Sequence, residues 1–157
     1  MKKILIGIGE SKFADNATQY GFDLARKLKT QVGLIHIIEP TVVTPMSTAD
    51  TSMGLPFDST MEGVMPELMH IQDEQSKQMI ASAINKYGDG LQVTVFNEFG
   101  DTAEGILSCA KEFGAEMIVI GTHSRTGIDR FLMGSVAEHV VRHSEIPVLV
   151  VPTVDSH

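Results

Sequence analysis

The chain has 157 residues, of which 43% are hydrophobic and 20% charged, and its mean hydropathy is +0.08. This composition excludes a disordered or fibrous protein and predicts a single globular domain over residues 1–157. The formal net charge is −8 and the isoelectric point is about 5.1, so an acidic surface that repels nucleic acid is expected. The lone cysteine, Cys109, cannot form an internal disulfide, and neither a signal peptide nor a membrane span is recognisable. We therefore expect a cytoplasmic protein that contacts neither nucleic acid nor membrane.

The first half of the chain alternates between strand-like and helix-like segments. Apolar runs at Ile4–Ile8 and Val32–Ile38 predict two strands buried on both faces, and helical spacing predicts a helix over Phe13–Lys29 between them. Residues 40–65 contain neither lysine nor arginine and are rich in Thr, Ser, Pro, Gly and Met. This composition predicts a long mobile excursion, whose methionines suit either an adaptable partner surface or a loose cover over a ligand.

The second half continues the alternation. The predicted helices and strands are a helix from about Pro66 to Tyr87, a strand over Leu91–Phe96, a helix from Asp101 to about Gly114, a strand over Met117–Ile120, a helix from Ser135 to about Ser144 and a strand over Pro147–Pro152. Capping boxes are predicted at Asp101–Glu104 and at Ser135–Glu138. The β-α-β-α-β-α-β-α-β order predicts an open α/β fold, a parallel five-stranded sheet with helices on both faces.

In such sheets ligands bind beyond the carboxyl ends of the strands. After the first strand, Gly7-x-Gly9 resembles the start of a dinucleotide fingerprint, but Lys12 stands where the third glycine is needed. A P-loop, the G-x-S-x-G motif, the H-E-x-x-H motif and paired cysteine motifs are absent from the sequence. The first loop therefore contains no complete phosphate-binding or catalytic motif.

The loop after the fourth strand, from Gly121 to Ser135, has properties that suit phosphate. Its glycines allow close backbone approach, and Arg125 and Arg130 add positive charge to an acidic protein. The N–H groups of Gly134, Ser135 and Val136 are predicted to be unpaired at a helix N-terminus. The alternative is that the glycines only turn the chain and that Ser135 and Glu138 only cap each other. The residues of this loop alone favour the phosphate-binding and the structural interpretation equally.

Several segments together resemble the universal stress protein family across nearly the full length of the chain. They are Lys3–Ile6, His36–Ile38, Gly100–Glu104, Ile118–Gly127, Gly134–Glu138 and Ile146–Pro152. The family's nucleotide binders carry G-x-x-G-x9-G-[ST]; Gly121, Gly134 and Ser135 match it, whereas Ser124 replaces the second glycine. The resemblance implies a Rossmann-like sheet in the order 3-2-1-4-5.

The resemblance also implies ATP, with Mg²⁺ as a possible companion, lying across strands one and four with adenine near Ile37. The implied binding residues are Gly7, Gly9, Glu10, Ile37, Gly121, His123, Ser124, Arg125, Gly127, Gly134, Ser135 and Val136. The family's nucleotide binders have an aspartate after strand one, and the matching residue here is Gly9, which is followed by Glu10. This change should weaken binding of ribose and metal unless Glu10 takes over, and it leaves no basis for efficient ATP hydrolysis.

The resemblance implies a homodimer in which Val148, Leu149, Val150 and Val151 pair with the same strand of a second copy. The expected function is that of an ATP-binding regulatory module in stress response, with an unknown protein client. The alternative is a dimeric interaction protein of the same family that binds no nucleotide. An ATP-consuming transferase of related fold would need a further domain, for which 157 residues leave no room.

The remaining polar residues have structural interpretations. His139 and His143 are four residues apart on a predicted helix, and a solvated helix face is favoured over a metal site because no third ligand is evident. Glu138 and Arg142 predict a surface ion pair. Cys109 predicts an inert buried thiol.

Overall fold

The structure is a computed structural model that describes residues 1–10, 12–40, 60–122 and 133–152. Nine elements follow in the order β1 Lys3–Gly7, α1 Lys12–Leu28, β2 Gln31–Ile38, α2 Thr60–Tyr87, β3 Val93–Phe99, α3 Thr102–Phe113, β4 Met117–Gly121, α4 Ser135–His143 and β5 Val148–Val151. All pairings between neighbouring strands are parallel, and the sheet order is β3-β2-β1-β4-β5. The predicted fold class and strand order are confirmed.

Two apolar clusters cover the two faces of the sheet, because successive residues of a strand point to opposite sides. Leu5, Ile35 and Ile118 pack under α3 and α4 on one face. Ile4, Leu34 and Val119 pack on the other face, against the apolar sides of α1 and α2. The central strands are buried on both faces, which explains why their sequences are nearly continuous apolar runs.

Helix α2 begins earlier than predicted. Its first residue is Thr60, so Thr60–Met65 belong to the helix and Pro66 lies inside it rather than in its first turn. The sequence holds the reason: apolar residues already recur at helical spacing before the proline, at Met61, Val64 and Met65. The rest of the predicted excursion, residues 41–59, lies outside the described residues. Strand β3 is also displaced toward the C-terminus relative to the prediction, to Val93–Phe99.

The two predicted capping boxes have different outcomes. At α3, Asp101 is the N-cap, and its Oδ1 accepts a hydrogen bond from the backbone N–H of Glu104 at 2.9 Å. At α4 the prediction is wrong, because the N-cap is Gly134, which has no side chain to cap the helix, and Ser135 lies after the N-cap position. Ser135 is instead the first residue of the helix, and Glu138 points its carboxylate to Arg142 at 2.7 Å.

Candidate functional site

The carboxyl ends of β1 and β4 lie side by side at the point where the strand order reverses. β1 pairs with β2 on one side and with β4 on the other, and both β1 and β4 end in a glycine, Gly7 and Gly121. A Cβ on Gly7 would lie 3.0 Å from Ile120 Cγ2 and 3.4 Å from Ile106 Cδ1, so glycine permits the tight packing here. The structure thus brings these two predicted residues to the expected edge.

Gly9 follows β1 and has room for a side chain. A Cβ at this position would make an ordinary contact of 3.5 Å with the Cβ of Ala14. Among the described glycines, only Gly90, Gly100 and Gly114 have positive φ, so the backbone of Gly9 does not require glycine. Glu10 beside it is exposed. The carboxylate missing at position 9 is therefore a change in chemistry that no packing constraint forces.

Ile37 presents its backbone, rather than its side chain, to the edge. Its side chain is buried beneath α3, where a Cβ on Gly105 would lie 2.5 Å from Ile37 Cδ1. In a parallel ladder the N–H and C=O of one residue point to the same neighbouring strand, and alternate residues point the same way. The carbonyl of Ile35 accepts from Ile8 on the β1 side, so the N–H and C=O of Ile37 also point to that side.

The register explains why the direction of the Ile37 backbone matters. The last residue pair that β1 and β2 share is Gly7↔Ile35, so β2 extends past its neighbour. The N–H and C=O of Ile37 therefore point to the space above the end of β1. An adenine ring carries both donors and acceptors on its edge and suits such a strand extension.

The N-terminus of α4 reaches the same edge of the sheet. The N–H of Gly134 donates to the carbonyl of Thr122 at 2.8 Å, so the prediction that this N–H is unpaired is wrong. The bond ties the start of α4 to the residue after β4. The first bond inside the helix runs from Glu138 N to Gly134 O at 2.9 Å, which leaves the N–H groups of Ser135, Val136 and Ala137 without a helical acceptor. They point along the helix axis toward the edge, as anion binding requires.

Four of the predicted binding residues cannot be placed. His123, Ser124, Arg125 and Gly127 lie outside the described residues, as does Arg130. The part of the site that the structure describes consists of Gly7, Gly9, Glu10, Ile37, Gly121 and Gly134–Val136. Its donors are backbone N–H groups, and Glu10 is the carboxylate next to the strand β1 end.

The histidines of α4 lie on a solvent-facing surface, as predicted. His139 Nε2 is 2.6 Å from Glu104 Oε1 on α3, and the His139 and His143 rings stack with centroids 4.2 Å apart. Within the described ranges, no three His, Cys, Asp or Glu side chains come together in a way that could hold a metal ion. The contact between His139 and Glu104 joins α4 to the first turn of α3. Helical spacing within α4 could not predict it.

Cys109 is buried on α3, as predicted. Burial raises the pKa of its thiol to about 12, and the nearby carboxylates of Glu98 and Glu112 add to the shift. A thiol with such a pKa is protonated at neutral pH and reacts slowly. The prediction of an inert thiol fits these surroundings.

A partly buried network of polar side chains links β2 and β3 to α2, and the sequence did not reveal it. His36 Nδ1 lies 2.6 Å from Ser76 Oγ, which in turn donates to Asn97 Oδ1 at 2.5 Å. Asn97 Nδ2 donates to Asp73 Oδ1 at 2.7 Å. A histidine inside an apolar run was the one available indication, because a buried imidazole needs a partner. This hydrogen-bond network anchors α2 at the carboxyl end of β2, directly beside Ile37.

In the part of the chain that the structure describes, no helix is both long and apolar enough to cross a bilayer.

Comparisons with known proteins agree with this architecture. The model of the universal stress protein family matches residues 1–152. The chain is 28% identical to universal stress protein MJ0531 of Methanocaldococcus jannaschii over 150 residues, covering 96% of this chain and 81% of that protein. It is 27% identical to universal stress protein YxiE of Bacillus subtilis over 150 residues, covering 95% of this chain and 97% of that protein.

Solved structures with the same fold extend the comparison. The structure of MJ0577 superposes with a TM-score of 0.79 at 26% identity, covering 99% of this chain and 98% of that chain. A universal stress protein from Archaeoglobus fulgidus, solved in complex with dAMP, has a TM-score of 0.58 at 20% identity, and the match covers 96% of this chain and 97% of that chain. Another universal stress protein, solved in complex with cAMP, has a TM-score of 0.61 at 17% identity and covers 98% of each chain.

Proposed function

Because the chain belongs to the universal stress protein family, we propose that it binds ATP at the carboxyl edge of its sheet and acts as a nucleotide-responsive regulatory module in stress response. The observation that carries the proposal is the convergence of two sets of backbone groups on one edge. The N–H and C=O of Ile37 point past the end of β1, and the N-cap of α4 is Gly134, which offers no side-chain acceptor to the N–H groups of the first turn. The first set suits adenine and the second suits phosphate.

Relatives support the choice of ligand class. Universal stress proteins solved in complex with cAMP and with dAMP share the fold of this chain. Both ligands combine adenine with phosphate, which is the combination that the two sets of backbone groups can bind. ATP adds further phosphates, for which Arg125 of the strand-four loop is a candidate partner.

The residues fit the nucleotide better than its metal ion. Mg²⁺ prefers hard oxygen ligands, and position 9 offers none because it is glycine. Glu10 is the nearest carboxylate in sequence. The Mg²⁺ that accompanies ATP would therefore bind through phosphate oxygens and water, with Glu10 as the candidate protein ligand, and we expect at most weak ATP hydrolysis.

Calorimetric titration of ATP, with and without Mg²⁺, tests the proposal on the wild type and on Gly134→Val. The branched side chain should block phosphate from the start of α4 and abolish binding. Thr102→Val is the matched control, because it places the same side chain at the start of α3 on the same edge and should bind ATP like the wild type. If the wild type binds and Gly134→Val binds equally well, the assignment of this loop is wrong.

The second candidate function is a dimeric interaction protein without nucleotide. Gly9 favours it, because the carboxylate of the family's nucleotide binders is missing. A wild type that shows no ATP binding with or without Mg²⁺ would establish this alternative over the first.

Both candidate functions include a homodimer through β5. This strand lies at one edge of the described sheet, where it pairs with β4, and Val148, Leu149 and Val150 are only half-buried. An apolar edge strand without a cover invites pairing with another chain. We propose antiparallel pairing of Val148–Val151 across a two-fold axis. A monomeric mass in sedimentation at micromolar concentration would contradict it.

A further inference from the structure

Strand β3 forms the edge of the described sheet that lies opposite β5. Its bonds to β2 use alternate residues: the N–H of Val32 donates to the carbonyl of Gln92, and the N–H of Gly100 also donates to β2. The backbone groups of the odd-numbered residues therefore point away from β2, at Val93, Val95, Asn97 and Phe99. Among the described residues β3 pairs with β2 alone, so these outward donors and acceptors are available to another strand.

β3 lacks the features that usually protect an edge strand. Natural edges are short or bulged, or they carry lysine or proline. β3 has seven residues, its sequence VTVFNEF contains neither lysine nor proline, and its register with β2 is unbroken from Val93 to Phe99. The opposite edge, β5, has only four residues. β3 is therefore long and regular enough to accept an extended chain by strand addition.

The face of β3 that packs against α2 exposes apolar side chains. Val95, Asn97 and Phe99 share this face because the side chains of a strand alternate, and Asn97 contacts Asp73 of α2. Val95 is 45% exposed and Phe99 is 39% exposed, and they lie about 13 Å apart along the strand. Exposed side chains of this kind favour an apolar residue directly opposite on a neighbouring strand.

The other face of β3 borders negative charge. Phe96 on this face meets the ring of Phe113 of α3 edge to face, and Glu98, two residues later on the same face, is exposed. Glu112 of α3 is also exposed, and both carboxylates contribute to the raised pKa of Cys109, which places them on the same side of α3. In the described part of the chain, the ion pairs involve neither of these two carboxylates.

This charge argues against a second copy of the chain as the neighbour of β3. Antiparallel pairing of two β3 strands about Asn97 would bring Val95 of each copy opposite Phe99 of the other, which suits the apolar face. The same register would place the two Glu98 side chains at diagonal positions about 7–8 Å apart, with both Glu112 side chains beside them. Lysine or arginine on the incoming strand would instead meet these carboxylates with the opposite charge.

We propose that the outer edge of β3 binds an extended segment of another protein by strand addition, and that this segment alternates apolar residues with lysine or arginine. The backbone of the segment pairs with the outward groups of β3. Its apolar side chains contact Val95 and Phe99, and its cations lie beside Glu98 and Glu112. The proposal uses none of the residues proposed to bind nucleotide and does not depend on ATP binding.

A fluorescent synthetic peptide of about eight residues, in which valine alternates with lysine, is a suitable probe. Its anisotropy, titrated with the full-length protein, should show saturable binding that weakens as salt is added. A peptide of the same composition with the valines and the lysines in two separate blocks, and one with glutamate in place of lysine, should each bind at least about tenfold more weakly.

Two N-methylated peptides test whether the backbone of the probe is used. In an extended peptide the N–H groups of alternate residues point to the same side, so methylation of either the valine or the lysine nitrogens removes the donors from one side only. One of these peptides should bind like the parent, and the other at least about tenfold more weakly. In antiparallel addition the weakened peptide carries its methyl groups on valine, and in parallel addition on lysine.

Variants of the protein locate the site. Val95→Lys removes an apolar contact and adds a cation at the edge, so it should weaken binding at least about tenfold. Val141→Lys is the matched control, because Val141 is 43% exposed on α4, and it should bind like the wild type. Glu98→Lys should weaken binding and reduce its salt dependence, whereas Glu145→Lys, the same charge change at an exposed residue before β5, should change binding much less. Circular dichroism checks that each variant is folded.

The proposal would be overturned if the wild type does not bind the alternating peptide, if the block or the glutamate peptide binds equally well, or if the two N-methylated peptides bind alike. Binding by folded Val95→Lys and Glu98→Lys at the level of the wild type would also overturn it. Sedimentation of the protein alone tests the other occupant. A smaller assembly in Val95→Lys than in the wild type would identify a second copy of the chain as the neighbour of β3.

Discussion

The helices α3 and α4 lie side by side on one face of the sheet and begin at the same edge, but they begin differently. Asp101 caps α3 through the N–H of Glu104, so the chain itself supplies an acceptor and a negative charge at that end. Gly134 caps α4 with no side-chain acceptor. A helix N-terminus is positive whether or not it is capped, so the difference determines which of the two ends remains open to an anion.

Closing the open end should have the largest effect. In Gly134→Asp the new carboxylate can accept from the N–H groups of Val136 and Ala137 and place a negative charge where phosphate is proposed to bind. We expect ATP affinity to fall by about 100-fold or more, while the free energy of unfolding rises by up to about 1 kcal/mol. Calorimetry and thermal denaturation measure the two effects.

Gly134→Ala is the control for this change, because alanine cannot cap and the observed φ of −57° suits it. Its affinity should fall much less than that of Gly134→Asp. An aspartate variant that binds ATP as tightly as the wild type would show that phosphate does not approach α4.

Adding a carboxylate at the end of β1 should strengthen the binding of Mg·ATP, whereas adding one at the start of α4 should weaken ATP binding. Gly9 has space for a side chain and no positive φ, so Gly9→Asp should fold normally. The new carboxylate can coordinate Mg²⁺ but repels bare phosphate, so we expect Mg·ATP to bind about tenfold more tightly and metal-free ATP to gain nothing. Isothermal titration with and without Mg²⁺ measures this difference.

Gly9→Asn is the matched control, since it has the same shape without the charge and should leave the metal dependence unchanged. If Gly9→Asp tightens both ligands equally, or neither while the fold is preserved, Glu10 already fills this position or the metal lies elsewhere.

Opening the closed end of α3 should affect stability rather than binding. Asp101→Ala removes the acceptor for the N–H of Glu104, and loss of such a cap costs about 1 kcal/mol. Urea denaturation should show this loss, with Asp101→Asn losing less because its amide oxygen still accepts. ATP affinity should be the same in all three proteins; a large fall in Asp101→Ala would place α3 in the binding site.

The two helix starts also show how far sequence reasoning reached. The succession of strands and helices and the α/β fold class follow from apolar periodicity, which depends on residues close in sequence and is strong in buried strands. The strand order was implied by the family resemblance. The Asp101 cap follows from the same local pattern. The pattern Ser135–Glu138 looked alike, yet the N-cap of α4 is Gly134, one residue before Ser135, and its N–H donates to the carbonyl of Thr122. That bond joins two ends of a long loop, and a local pattern cannot reveal it.

Other parts of the site were beyond prediction for the same reason. His36, Ser76 and Asn97 are separated by 40 and 21 positions, and only the packing of α2 on β2 and β3 brings them together. The direction of the Ile37 backbone depends on where β1 ends relative to β2. Family resemblance indicated Ile37, but it could not distinguish side chain from backbone, and the structure shows that the side chain belongs to the core.

The smallest effect is expected from the contact that joins the two helices. His139 Nε2 meets Glu104 Oε1 at 2.6 Å, but the two side chains are 38% and 66% exposed, so water competes for both. Glu104→Gln should lower the free energy of unfolding by less than about 1 kcal/mol, as is usual for exposed pairs. A double-mutant cycle with His139→Gln isolates the contact from other effects of each substitution. ATP affinity should not change in any variant, because Gly134 and Thr122 fix the open end of α4 independently of this contact. A coupled loss of affinity in the cycle would show instead that α3 holds α4 in the geometry that binds phosphate.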